Sequence, residues 1–127
     1  MNNEILTISL PYPPSVNHLY FNASTGRVMR QEGRVYKQAV LAAVLRALNG
    51  RPAAYEGRLG LDIAVYFPDR RKRDLDNLIK ITQDSLTSAG VWLDDKQIKD
   101  LHIWQAGMQK GGKLEVTVRT LPDLLEG

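Results

Sequence analysis

The chain has no cysteine among its 127 residues. That excludes disulfide staples and thiolate metal sites, and it fits a reducing, cytoplasmic setting. Histidine is nearly absent too: His18 and His102 are the only two, so nothing points to a histidine-rich zinc cluster. No apolar run approaches the roughly 20 residues of a membrane span. The first ten residues lack a basic start followed by an unbroken apolar core, so no secretory leader is expected. Repeats, linkers and low-complexity blocks are also missing. What remains is a hydrophobic fraction of 43% and a net charge of +3, with a sequence pI near 9.3. These values fit a single globular domain, residues 1–127, that is moderately basic. A basic pI alone says little about nucleic acid.

Hydrophobic periodicity predicts the elements. Leu6, Ile8 and Leu10 alternate along a strand from Glu4 to Leu10, which Pro11, Pro13 and Pro14 stop. Ser15 to Arg30 reads as a loop or short hairpin, with a turn-like stretch from Asn22 to Gly26. A helix follows from Gln31 to Leu48, ended by Asn49, Gly50 and Pro52. Leu59, Leu61, Ile63, Val65 and Phe67 mark a second strand, ended by Pro68. A second helix is expected from Leu75 to Ala89, stopped by Gly90. Gln97 to Gln105 and Lys113 to Thr120 read as the last strands, joined as a hairpin through Gly107 to Gly112. The order β-α-β-α-β-β implies an α/β fold with one mixed sheet and two main helices packed against it.

Charge is concentrated in one place. Asp69 to Lys80 reads DRRKRDLDNLIK: four consecutive cations, Arg70, Arg71, Lys72 and Arg73, run directly into Asp74 and Asp76. Cations attract a polyanion. Carboxylates repel it unless a divalent cation lies between them and the phosphate. If the segment is extended, Asp74 and Asp76 share a face; either also suits a helix cap. Asp76, Lys80 and Asp84 follow at spacings of four, on one helix face. Lys80 then reaches back over the acidic site, to hold a phosphate, stabilise developing charge or position water, and Asp84 suits a supporting ion pair. A second acidic pair, Asp94-Asp95, closes GVWLDD, with Trp92 and Leu93 as its anchor. Adjacent residues point opposite ways, so one of the pair would ligate and the other cap; spacing does not choose. The bland reading makes both clusters solvated turns.

Together DRRKRDLDNLIK, the helix ending SAG and the following VWLDD resemble the RusA family of Holliday-junction resolvases, found in bacteria and often carried by prophages. The opening LPYPPSVNHLY, Gly26-Arg27, the helix containing Tyr36 and the closing KGGKLEVTV are similar as well, so the resemblance covers nearly the whole chain. It implies a homodimeric, Mg2+- or Mn2+-dependent endonuclease that binds four-way DNA junctions and makes paired nicks. The family's catalytic aspartates match Asp74, Asp76 and Asp95, and its essential lysine matches Lys80. That favours Asp95 over Asp94 as a metal ligand. The basic run matches a region of DNA contact. Asn17, His18, Tyr20, Arg27 and Asn77 are further candidates for DNA contact or support. Val16 stands where the family's PPSNN-like opening would carry asparagine, His18 replaces a more basic residue, and Leu19 interrupts an aromatic pair.

Three function classes follow: a structure-selective endonuclease, a catalytically silent DNA-binding protein and a phosphatase for small esters. The four-cation run favours the first over the last. The endonuclease reading predicts that Asp74, Asp76 and Asp95 converge in one cleft with Lys80 at its rim, either within a chain or across a dimer.

Overall fold

The computed structural model describes residues 3–24 and 26–124, without the side chains of Val16, Asn17, Phe21 and Arg27. Ten elements follow in order. They are β1 (Glu4–Pro11), a short α1 (Val16–Leu19), β2 (Tyr20–Ala23), β3 (Gly26–Met29), α2 (Gln31–Leu48), β4 (Leu59–Phe67), α3 (Asp76–Ser88), a 3-10 turn (Asp95–Gln97), β5 (Ile98–Met108) and β6 (Lys113–Thr120). β2 and β3 form a separate two-stranded ribbon within the segment expected to be a loop or hairpin.

The main sheet is mixed, in the order β1-β6-β4-β5, and the two long helices complete the predicted α/β plan. β4 is one of its two inner strands, antiparallel to β6 and parallel to β5. Leu59, Leu61, Ile63, Val65 and Phe67 point from β4 into one core with Leu6, Ile8 and Leu10 of β1 and Leu114, Val116 and Val118 of β6. Tyr36, Val40 and Val44 of α2 and Leu78, Ile81 and Leu86 of α3 close that core from the helical side. Each such side chain contributes about 1.5–3 kcal/mol when fully removed from water. The alternate residues of β4 (Asp62, Ala64, Tyr66) are half-buried on the opposite face.

Both helices stop where the sequence signals it. After α3, Gly90 takes φ +83°, its N–H donates to the Thr87 carbonyl, and the Val91 N–H donates to the Leu86 carbonyl. This is the paired closure of a Schellman motif.

One expectation is overturned. β5 and β6 are not a hairpin, because β4 lies between them. The connection passes over the end of β4, where the Gln109 N–H donates to the Phe67 carbonyl at 3.0 Å. Turn residues report that a chain reverses. They do not report whether the strands on either side are neighbours, and here the more apolar β4 takes the place between them.

Candidate nucleic-acid interface and carboxylate clusters

At the C-terminal end of β4 the chain enters a cleft of roughly 780 Å³. The basic run and Asp74 form one wall, Tyr12 to Ser15 another, and Gln105 and Met108 of β5 border it. Asn77 also lines it, at the start of α3. The turn is built by Asp69. Its Oδ1 accepts from the Arg71 N–H at 2.9 Å, and both its oxygens accept from the Arg73 guanidinium at 2.8 Å. The Arg73 hydrogen bond, followed by that of the Arg71 backbone, holds the Asp69 carboxyl below its ordinary value.

The four cations therefore divide. Arg73 turns inward, onto Asp69 and over the Tyr12 ring, 5.6 Å from its centroid. Tyr12 in turn meets Phe67 edge-on at 6.2 Å. Burial raises the Tyr12 phenol, and Arg73 opposes that rise. Arg70, Arg71 and Lys72 are exposed, and only Arg71 has an ion-pair contact among the described residues, a loose 3.7 Å to Asp69.

Asp74 and Asp76 are both exposed, with no hydrogen-bond or ion-pair partner among the described residues. They do not occupy alternate positions of a strand. Leu75 between them already has helical torsion angles (φ −64°, ψ −36°), so the chain turns, and only Asp74 borders the cleft. The α3 cap residue, Leu75, makes no side-chain cap hydrogen bond. Lys80 pairs with Asp84, Nζ to Oδ2 at 3.2 Å, one of the two acidic neighbours that helix spacing offers it. Tyr20 donates its hydroxyl to the same Asp84 oxygen at 2.7 Å, and the Lys80 ammonium lies 5.5 Å from the Tyr20 ring centroid. His18 is exposed in α1. The side chains of Asn17 and Arg27 lie outside the described residues.

The second acidic pair lies elsewhere. Asp95 opens the turn that leads into β5, and β5 begins opposite Leu59, the first residue of β4. Asp74 follows the last residue of that strand. The nine residues of β4 span on the order of 25 Å, so one chain keeps Asp95 at the opposite end of the sheet from Asp74. Consistently, no group of three or more potential metal-ligating side chains occurs among the described residues.

The turn itself assigns different positions to the two aspartates. Asp94 caps it, accepting from the Lys96 N–H at 2.8 Å. Asp95 is exposed and without a partner among the described residues. Trp92 is buried and donates to Thr87 Oγ1 at 2.6 Å, anchoring the turn, whereas Leu93 is exposed. The residue that binds the turn to the segment just before β4 is Gln97. Its Oε1 accepts from the Leu93 and Asp94 N–H groups, and its Nε2 donates to the Tyr55 and Gly57 carbonyls, all within 2.9 Å. Its visible signal is the D-x-x-Q spacing of a capping box, Asp94 to Gln97. Tyr20 has no comparable signal for its bond to Asp84, which joins residues 64 positions apart.

A family model described as Endodeoxyribonuclease RusA matches residues 11–119. The chain is 39% identical over 113 residues to the crossover junction endodeoxyribonuclease RusA of Escherichia coli (strain K12), covering 88% of this chain and 92% of that protein. It is 38% identical over 118 residues to the protein of that name from Escherichia coli O139:H28, covering 92% and 96%. Against the protein of that name from Enterobacteria phage 82 it is 38% identical over 112 residues, covering 87% and 91%.

Proposed function

This chain belongs to the RusA family of endodeoxyribonucleases, and we propose that it is a homodimeric, structure-selective nuclease that resolves four-way DNA junctions by paired nicks. The observation that carries this reading is the cleft in which exposed Arg70, Arg71 and Lys72 adjoin the carboxylate of Asp74, which has no partner among the described residues. Cations at the rim draw in the phosphate backbone, and a carboxylate below them is productive only with a divalent cation between it and the phosphate.

Asp74, at the cleft, and Asp76, rotated from it on the first turn of α3, each offer such a cation a carboxylate. They are hard oxygen donors, exposed and not committed to other partners among the described residues. Mg2+ is commonly held by one or two carboxylates, waters and substrate phosphate oxygens, and Mn2+ accepts the same donors. Bound there, the cation would supply Lewis-acid activation and charge neutralisation. The chain's own residues provide the rest. Arg70, Arg71 and Lys72 hold flanking phosphates. Lys80, half-exposed on α3, contacts the scissile phosphate or orients the attacking water. Water attacks phosphorus directly, breaking the bond to the 3′ oxygen and leaving a 5′-phosphate and a 3′-hydroxyl. Asn77 supports the cleft wall, with Asn17, His18, Tyr20 and Arg27 as candidates for further DNA contact or support.

Asp95 completes the site only from a second copy, because its own chain holds it at the far end of the sheet. A twofold dimer then carries two equal sites, each using Asp74 and Asp76 of one copy and Asp95 of the other. Two sites match the two strands that a symmetric resolution must cut. Each copy contributes one nuclease domain acting in the cytoplasm. Among the described residues, no helix is long and apolar enough to cross a membrane.

A nicking assay on immobile four-way junctions, linear duplexes and small phosphate esters, with Mg2+ or Mn2+, tests the reading. Symmetric paired nicks confined to junctions are expected. Junction binding without cleavage in either metal would leave a DNA-binding protein. Turnover of small esters would instead indicate a phosphatase.

A further inference from the structure

Lys80 has an acidic residue one helical turn away on each side: Asp76 four residues before it and Asp84 four residues after it. On an isolated helix the pair with the acid N-terminal to the lysine is the better of the two. Local preference thus favours Asp76. The structure takes the other option, with Lys80 Nζ 3.2 Å from Asp84 and no ion pair to Asp76 among the described residues. Tyr20, on the distant N-terminal ribbon, explains the choice. Its hydroxyl fixes Asp84 Oδ2 at 2.7 Å, and its ring lies beneath the ammonium at 5.5 Å. Asp84 is only 23% exposed, so this pair is better shielded from water than one formed with the exposed Asp76.

We infer that Tyr20 and Asp84 hold the Lys80 ammonium off Asp76 and so keep the Asp76 carboxylate open for a divalent cation. Tyr20 and Asp84 are then positioning residues. They determine cation affinity without touching the cation. The inference rests on the reading of Asp76 as a ligand in the proposed function. It makes the docking of the N-terminal ribbon on α3 a condition for a competent metal site.

The test is direct titration of the DNA-free protein with Mn2+, followed by the resonance of the free ion, in wild type, Asp84→Asn, Tyr20→Phe, Lys80→Ala and the Lys80→Ala/Asp84→Asn double variant. Asp84→Asn should raise the Mn2+ midpoint about twofold to fivefold, the range spanned by an exposed ion pair. Tyr20→Phe, which changes no charge, should move it the same way by less. In the Lys80→Ala background the Asp84→Asn effect should vanish, because no ammonium remains to occupy Asp76. An effect that persists there undiminished would be a plain loss of negative charge and would overturn the inference, as would unchanged midpoints in both single variants. An Asp76→Asn control separates the two readings. If Asp76→Asn leaves Mn2+ binding unchanged, or wild type binds none, the assignment of Asp76 as a ligand fails and the inference falls with it. If Asp76→Asn weakens binding while Asp84→Asn does not, only the inference fails.

Discussion

Asp74 and Asp95 stand at opposite ends of the parallel pair β4–β5, one after the last residue of β4 and the other just before the first residue of β5. A site built from both carboxylates must draw on two chains. Asp76→Asn and Asp95→Asn should each reduce junction cleavage by more than a hundredfold while preserving junction binding. Mixed and re-equilibrated, the two inactive proteins should regain nicking. In the heterodimer one site collects both substitutions and the other collects none. The regained activity should be a single nick per junction. If the mixture stays as inactive as either parent, although exchange of subunits is demonstrated, all three carboxylates act without sharing across the dyad.

Gln97 holds the turn that carries Asp95 through four hydrogen bonds to main-chain groups. Gln97→Ala leaves those groups without their partner. Two of the four bonds are exposed to solvent, so stability should fall by about 1–2 kcal/mol. Turnover at saturating junction should drop about tenfold or more, since small displacements of reacting groups are costly. Urea unfolding and single-turnover cleavage check the two effects separately. Full turnover in a destabilised Gln97→Ala protein would free Asp95 from any need of precise placement.

The basic run should split functionally as it does structurally. Neutralising Arg71 and Lys72 together removes four cations from the dimer, and should weaken junction binding and reduce the slope of log affinity against log salt by about 3 to 4. Stability should be unchanged. Arg73→Ala should instead lower stability, through loss of its partly exposed Asp69 pair and its Tyr12 contact. The salt slope should barely move. A slope change for Arg73→Ala equal to that of Arg71→Ala would place Arg73 on the phosphate track.

Acid should destabilise the protein in a defined window. Asp69 is held below its ordinary value first by the Arg73 hydrogen bond, Asp100 by that of Arg119, and Glu115 by that of Ser9. Each folded-state value lies below its unfolded counterpart of 3.8 for aspartate or 4.5 for glutamate. The unfolded chain therefore binds more protons below those values. The stability these groups contribute is complete above the unfolded values and disappears as pH falls through the folded ones. Denaturant midpoints should be level above about pH 5 and decline steadily below about pH 4. In Asp69→Asn/Asp100→Asn the decline should be shallower. An unchanged slope would show that folding does not lower these two carboxyls.

Much of this molecule was legible in one dimension. Alternating apolar residues located β1, β4 and β6, and a stripe at spacings of three and four located α2 with Asn49 at its end. Burial repeats with the geometry of the element, so period alone reveals it. The concentration of charge between Asp69 and Lys80 was equally visible, because a basic run beside paired aspartates is a local fact. Helix spacing put both Asp76 and Asp84 within reach of Lys80, and the fold pairs it with Asp84.

Other features depended on partners distant in sequence. The glycines between β5 and β6 announced a reversal but not that β4 would lie between the two strands. The alternation of Asp74 and Asp76 assumed an extended chain, and the helical torsions of Leu75 rotate them apart. Tyr20 on Asp84, and Gln97 on Tyr55 and Gly57, are contacts across 40 residues or more. The sequence by itself determined where the long strands and the two main helices run, and where the basic run and the acidic pairs stand along the chain. Only the tertiary structure decided that Asp74 and Asp95 lie at opposite ends of a strand pair, because distance along the chain does not measure distance across a folded sheet.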